Sequence, residues 1–425
     1  MTDKLSFGDY SKIFVPGAPV YSLDYLFGRD QERIDLVNTL NRPGLQPIVV
    51  GNRGVGKTTL VKLTLPSITG TELTISCNAQ LTYSSFVQIL LNEISQYTIK
   101  TNYTVTEESK LDPKVSFLGA EFEAGYISKT KTIHYTADSD KLTAWDIFKR
   151  IQLAKKRLLI VLDNYDLIPK NNTEIHQGVA NLIKTTADLS GQCYDSRIIV
   201  IGIGRSAESL IGKYESIGRH AREIYLGALK NQAIDDFLSA TEMSLHFEFE
   251  PCVKEQIVQN SFGFPYYTHS VCLCSLDAML KRDKQARRVI KADYENGVIQ
   301  ATKIDFRTEM NKYKRYTRDL NRNEMMFITE LVYSMQPTAS RLTLQKKLLD
   351  KGVSIFEFNT ILVKLQQERQ MIYVSRNRDD IRFVDPLMAP FIKYNQILAT
   401  VKSSDTTDFH KSVKESYDGD DENTE

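Results

Sequence analysis

The chain has 425 residues, too many for one ordinary core, so its length implies two or three domains. With 42% hydrophobic and 25% charged residues and no run of 18 apolar residues, it reads as a soluble protein with no membrane span. A formal net charge of +1 argues neither for nor against a nucleic-acid partner, and any electrostatic footprint must be local.

The first 26 residues are polar, mixed with Gly and Pro, and are expected to wrap over the surface of the following domain. They lack a basic start followed by an apolar run, and the five cysteines (Cys77, Cys193, Cys252, Cys272, Cys274) are odd in number and scattered. A cytoplasmic protein with buried thiols is the expectation. Phe27-Gly28-Arg29-Asp30-Gln31-Glu32 then leads into a helical pattern at Ile34, Leu36, Val37 and Leu40.

The segment Pro47–Pro66, PIVVGNRGVGKTTLVKLTLP, carries the strongest signal in the chain. A short apolar strand runs into the loop Gly51, Asn52, Arg53, Gly54, Val55 and Gly56. Lys57, Thr58 and Thr59 then open a helix. This is G-x-x-x-x-G-K-[ST] in a strand–loop–helix context. The glycines let main-chain N–H groups approach phosphate oxygens, and the helix start adds unpaired N–H groups and the positive end of its dipole. Lys57 is expected to reach the β- and γ-phosphates of ATP, and Thr58 to place its hydroxyl on Mg2+.

Leu73–Cys77 reads as a second strand and Tyr83–Ile94 as a helix with Phe86, Leu90 and Ile94 on one face. Periodicity then fails from Thr98 to about Asp140, which marks an insertion. After a helix near Trp145–Lys155, five apolar residues (158–162) end in Asp163-Asn164-Tyr165-Asp166. Such a run suits a strand buried on both faces, and Asp163 then emerges at the carboxyl end of the strand, where it would hold Mg2+. Asn164 cannot take a proton from water; Asp166 is the carboxylate that would substitute if the turn lets it reach the γ-phosphate. Arg197–Ile203 is another buried strand, ending in Gly204-Arg205-Ser206. There Arg205 or Ser206 would sense the γ-phosphate, or Ser206 would cap the next helix. Arg219 and Arg222 precede a fifth strand, Glu223–Leu226. Strands alternating with helices give a parallel sheet with helices on both faces.

After Leu229 the pattern is helical: Asn231–Thr241, Pro251–Ser261 and Tyr266–Lys281. Lys281–Arg322 is basic, with 13 Lys or Arg against 6 Asp or Glu. Helices at 323–333, 342–349 and 355–369, then strands at 371–375 and 381–384, describe a winged helix. Lys364 and Arg369 would lie on its groove-reading helix and Arg376 and Arg378 at the wing, while Glu357, Glu368, Asp379 and Asp380 weaken the case for DNA and leave a protein target as the alternative. The tail after Lys402, with 8 Asp or Glu against 2 Lys, is expected to be disordered.

From Phe27 to about Tyr394 the chain resembles the AAA+ ATPases with a C-terminal winged helix, similar to the origin-recognition-like and STAND-like families. The residues carrying the resemblance are the P-loop, Asp163, the F-G-R-x-x-E box, the turn Gly263-Phe264-Pro265-Tyr266 and the closing Phe383-Val384-Asp385-Pro386-Leu387. It implies residues 1–26 as an N-terminal extension and 27–228 as a five-stranded α/β nucleotide-binding domain with an insertion at 98–140. A helical lid (229–300), a basic linker (301–322), the winged helix (323–400) and an acidic tail (401–425) follow. It places the Gly28-Arg29 turn near the adenine and an arginine finger at Arg219, or at Arg222, reaching a neighbouring subunit. A surface salt bridge of these arginines to Glu215 or Glu223 is the competing reading. The family usually has Glu at position 164, so slow ATP hydrolysis is implied.

The resulting expectation is an ATP- and Mg2+-dependent switch that assembles with itself and regulates a protein effector or DNA. The resemblance adds a loose link to phage defence or mobile elements. The alternatives are a non-hydrolysing ATP-binding adaptor and a DNA-binding protein.

Overall fold

The structure is a computed structural model and describes residues 5–20, 22–96, 142–191, 194–212, 214, 217–335, 338–375 and 379–404. The expected insertion, the acidic tail beyond Ser404, Arg376, Arg378 and Glu215 lie outside the described residues. Helices α1 (Phe7–Tyr10) and α2 (Asp30–Asn41) precede β1 (Gln46–Gly51) and α3 (Lys57–Thr64). Then come β2 (Thr71–Ser76), α4 (Tyr83–Ser95), α5 (Ala144–Leu153), β3 (Leu158–Asp163) and α6 (Thr173–Asp188). β4 (Arg197–Ile203), α7 (Ala207–Ile211) and β5 (Ala221–Leu226) complete the α/β part.

The five strands form one parallel sheet in the order β2-β3-β4-β1-β5. Burial follows from that order. β1, β3 and β4, in the middle, are apolar and almost wholly buried, whereas the edge strands β2 and β5 each have an exposed side. Alternate residues of one strand feed opposite layers. Ile48 and Val50 pack with Phe86, Ile151 and Ile183 of α4, α5 and α6 on one face. Val49 packs with Leu36 and Leu60 of α2 and α3 on the other.

That second layer continues without a break into the C-terminal half. There α8 (Asn231–Leu245), α9 (Pro251–Asn260), α10 (Pro265–Arg282) and α11 (Lys291–Ile304) pack together, with β6 (Glu248–Phe249) and β7 (Arg288–Val289) as a small parallel pair. The basic stretch continues as another helix, α12 (Arg307–Thr317). Next come α13 (Arg322–Ser334), β8 (Ala339–Ser340), α14 (Arg341–Leu349), α15 (Ile355–Val363), β9 (Ile372–Val374), β10 (Asp380–Phe383) and α16 (Met388–Ser404). These three strands are antiparallel in the order β8-β10-β9. The two-residue β8 has too little pattern to be read from sequence. α15 is shorter than its apolar periodicity, because Lys364–Glu368 is wound as a π turn.

The N-terminal segment departs from expectation. It packs into the C-terminal helices: Phe14 is fully buried and meets Phe237 of α8 edge-on at 5.6 Å, and Val15 N donates to His269 Nδ1 of α10 at 3.2 Å. Tyr10, Ile13 and Phe14 are buried anchors scattered in a polar context, which masks them from periodicity. The described cysteines are free; Cys77 and Cys272 are buried as expected, Cys274 is half-buried and Cys252 is exposed. Among the described residues no helix is long and apolar enough to cross a membrane.

Candidate nucleotide-binding site

β1, β3 and β4 end side by side, and the register sets what meets there. Gly51 lies opposite Ile203 on one side and Leu226 on the other, while Ser76 lies opposite Asp163. The P-loop and both candidate carboxylates therefore share the carboxyl end of the sheet, where ligands bind in open α/β folds. Gly56 turns the chain into α3 with φ of 91°, a left-handed conformation that a side chain would strain. The unpaired N–H groups of the first turn of α3 then face outward beyond the strand ends.

Lys57 is buried, 9% exposed, and its Nζ donates to the carbonyls of Gly51 (3.2 Å) and Asn52 (2.8 Å). Burial lowers its pKa to about 8, against an opposing pull from Asp166 first and Asp163 second. An ammonium held in this way is positioned and only partly neutralised, which suits a polyanion. Thr58 Oγ1 donates to Asp163 at 3.1 Å, so the hydroxyl and the carboxylate expected to share a cation already touch. An oxygen pair of this kind fits Mg2+, a hard cation, and the lysine and helix start fit phosphate.

Asn164 takes a left-handed conformation, φ 57°, and its N–H donates back to Asp163 Oδ1 at 2.9 Å. The turn brings Asp166 round to the end of β4, where Ile203 N donates to its Oδ1 at 2.7 Å. Its second oxygen has no hydrogen-bond partner among the described residues. Ser206 is the N-cap of α7, accepting from Ser209 N at 3.1 Å, so of its two readings the geometry gives the capping one. The Arg205 guanidinium lies 5.5 Å from the centre of the Tyr373 ring on β9.

Residues 47–228 match the family model for ATPases associated with various cellular activities, AAA. This segment is an AAA+ P-loop ATPase domain. No curated protein sequence matches the chain. Among solved structures, the Walker-type ATPase of Pyrococcus abyssi has 16% identity and a TM-score of 0.53, over 90% of this chain and 99% of that one. It therefore shares the overall fold. The Aeropyrum pernix ORC2 protein, solved in ADPNP and ADP complexes, has 12% identity and a TM-score of 0.48, over 92% and 98% of the two chains. The ORC1 protein of the same organism, solved with DNA, has 12% identity and a TM-score of 0.43, over 92% and 97%.

Arg29 braces the AAA+ domain from behind the P-loop. Its Nη2 donates to the carbonyls of Val55 (2.9 Å) and Gly227 (2.6 Å), and its Nη1 pairs with Glu32 at 2.9 Å. The Gly28 turn packs directly on Ala233 of α8, where a Cβ would come within 2.5 Å. Arg219 and Arg222 sit elsewhere. Ala221 lies opposite Gln46, at the amino end of the sheet, five registers from the Gly51–Leu226 pair. Both arginines are exposed, and Glu223, the described half of the salt-bridge reading, instead accepts from Ala207 N at 2.6 Å.

Sequence reasoning missed what covers the P-loop. Tyr266 N, at the start of α10, donates to Gly54 O at 3.4 Å, and Tyr266 and Leu387 fill the space beside Gly54. Tyr267 Oη then donates to Leu387 O at 2.8 Å. The motifs Gly263–Tyr266 and Phe383–Leu387 were visible singly; their meeting on one loop required the fold.

Proposed function

We propose that the chain is an ATP-dependent switch in which the P-loop reads phosphate on one side and the C-terminal half on the other. The observation that carries this reading is the three-way contact at Gly54, which joins the AAA+ domain, α10 and the Leu387 turn. A triphosphate changes that balance only if it binds the docked and undocked arrangements with different affinity.

In this reading the main-chain N–H groups of 52–58 and Lys57 hold the phosphates, and Thr58 and Asp163 hold Mg2+, which withdraws charge from the phosphates when bound. Asp166 is the general base for water attack on the γ-phosphate. Its second oxygen is uncommitted, and Lys57 feels Asp166 more strongly than Asp163. Asn164 in the usual base position makes turnover slow. The test is equilibrium binding of ATP with Mg2+, together with phosphate release. Wild type binds and releases phosphate slowly, whereas Asp166→Ala binds without release. If wild type binds ATP and never releases phosphate, the adaptor reading replaces the enzyme.

Arg219 works only in trans, since the whole length of the sheet separates it from its own P-loop. Sedimentation with and without ATP checks this: nucleotide-dependent assembly lost in Arg219→Ala is expected, and a monomer under both conditions removes the finger.

The unit α13-β8-α14-α15-β9-β10 has the element order of a winged helix, and its surface favours a protein partner over DNA. Lys364 Nζ is held by the buried Glu324 at 2.7 Å, and Arg369 donates to Arg318 O at 2.9 Å. The outer side of α15 shows Ile355, Phe356 (83% exposed), Thr360 and Val363, and among the described residues that helix carries no cation to meet a phosphate.

A further inference from the structure

A buried pair of polar side chains stands next to the two acids of the site, and no step above uses it. Of the turn residues 165–167, Tyr165 alone is buried, and fully so, between Asn164 and Asp166 in sequence. Its ring packs in the apolar layer with Ile175 and Val179 of α6 and Leu210 of α7. There its hydroxyl lies 3.0 Å from Nδ1 of His176, which sits in the first turn of α6 and is buried too. The other ring nitrogen, Nε2, lies 3.2 Å from the carbonyl oxygen of Pro169.

These contacts fix the proton positions. A carbonyl oxygen can only accept, so Nε2 carries the hydrogen, Nδ1 is the bare acceptor and the Tyr165 hydroxyl donates to it. Burial lowers the pKa of His176, which keeps the ring neutral and that direction intact. Pro169 O accepts a second bond from Asn172 N at 2.9 Å, so the chain from 165 to 176 is a loop closed by its own polar groups.

The loop matters because of what it carries. β3 ends at Asp163, Asn164 turns the chain with φ 57°, and Ile203 N then meets Asp166 at the end of β4. Leu167 N donates to Asn164 O at 3.0 Å and Ile168 N to Tyr165 O at 3.2 Å, so Tyr165 and Asp166 ride on one small turn. A rotation at Asn164 would swing both. Apolar packing sets how deep the Tyr165 ring lies, whereas a directional bond from its hydroxyl sets how far the turn can rotate.

We propose that Tyr165 and His176 are positioning residues whose buried hydrogen bond aims the Asp166 carboxylate at the attacking water. The inference rests on the reading of Asp166 as general base. A base turned slightly off its line costs rate and leaves nucleotide binding in place.

The experiment uses the full chain as wild type, Tyr165→Phe, His176→Leu and the double variant. The readouts are kcat and KM for ATP with Mg2+, the denaturant midpoint, and hydrogen exchange of the Ile203 amide without nucleotide. Each single variant lowers kcat by about 10-fold, and KM stays within about 2-fold of wild type. Each also leaves one buried polar group unpaired, so the denaturant midpoint falls and the Ile203 amide exchanges faster. The double variant leaves neither group unpaired, so stability returns towards wild type while kcat stays low.

A merely structural role predicts that kcat recovers together with stability in the double variant, and that result overturns the inference. So does a Tyr165→Phe variant that turns over at the wild-type rate. If wild type itself releases no phosphate, the reading of Asp166 as base falls separately. The Ile203 amide then decides whether the pair holds the turn: faster exchange in Tyr165→Phe supports it, and unchanged exchange overturns it.

Discussion

The two ends of this molecule use positive charge in opposite ways. At the P-loop, Lys57 is buried against neutral carbonyls and Arg53 is uncommitted, so both retain attraction for an anion. In the C-terminal unit, Lys364 and Lys351 are each paired with a Glu, and Arg341 lies 3.6 Å from Asp379. The contrast teaches that a basic residue in a motif position is informative only with its partners in view. Lys364 and Lys57 look alike in sequence, but one closes an internal bridge while the other points its charge at a site.

The strongest way to break the comparison is at Lys57. Replacing it with Ala removes the only buried ammonium among the described P-loop residues. A charge-assisted contact to phosphate contributes about 1.5–3 kcal/mol, so ATP affinity is expected to fall roughly 10- to 150-fold. Equilibrium titration reads this directly. Next in size is Asp166→Ala. Loss of a positioned base lowers turnover by about 100-fold, and ATP affinity stays within a few-fold of wild type. Phosphate release against nucleotide binding separates the two effects.

His269 gives a third test, on the packing that joins the N-terminal segment to α10. Burial lowers its pKa to about 4, and its Nδ1 accepts from Val15 N, so the folded protein holds it neutral. The unfolded chain takes up the proton near pH 6.5. Between the two values the unfolded state binds more protons, so stability is fully present above about pH 6.5 and is lost as pH falls towards 4. The loss is on the order of 2–3 kcal/mol. Denaturant unfolding at several pH values shows this slope in wild type and a flatter one in His269→Gln.

The smallest effect sharpens the C-terminal half of the contrast. Lys364→Ala leaves Glu324 buried without its partner and destabilises that unit by about 1–3 kcal/mol. Retention on duplex DNA and its salt dependence stay unchanged if Lys364 never meets a phosphate.

The three central strands were legible because each is an apolar run with a chemical signal at its end: Gly51 closing β1, Asp163 closing β3 and Gly204 following β4. The phosphate-binding loop was legible for the same reason, since its residues lie within a dozen positions of one another. What surrounds it was not. Tyr266 and Leu387 come from two distant segments, and neither residue signals in sequence that it meets Gly54. Arg29 was visible as part of a box but not as a brace between Val55 and Gly227, a role set by carbonyls that carry no sequence signal. Ser206 had two readings from sequence, and only the position of Ser209 N decided between them. The N-terminal anchors Tyr10 and Phe14 were hidden by the polar residues around them.

The central claim is that one loop answers to both phosphate and the C-terminal half. Hydrogen–deuterium exchange of the full chain, with and without ATP and Mg2+, tests it most directly. ATP should protect residues 51–60 and at the same time change exchange at 263–270 and 385–391. Protection of the P-loop with no change at the other two segments would contradict the account.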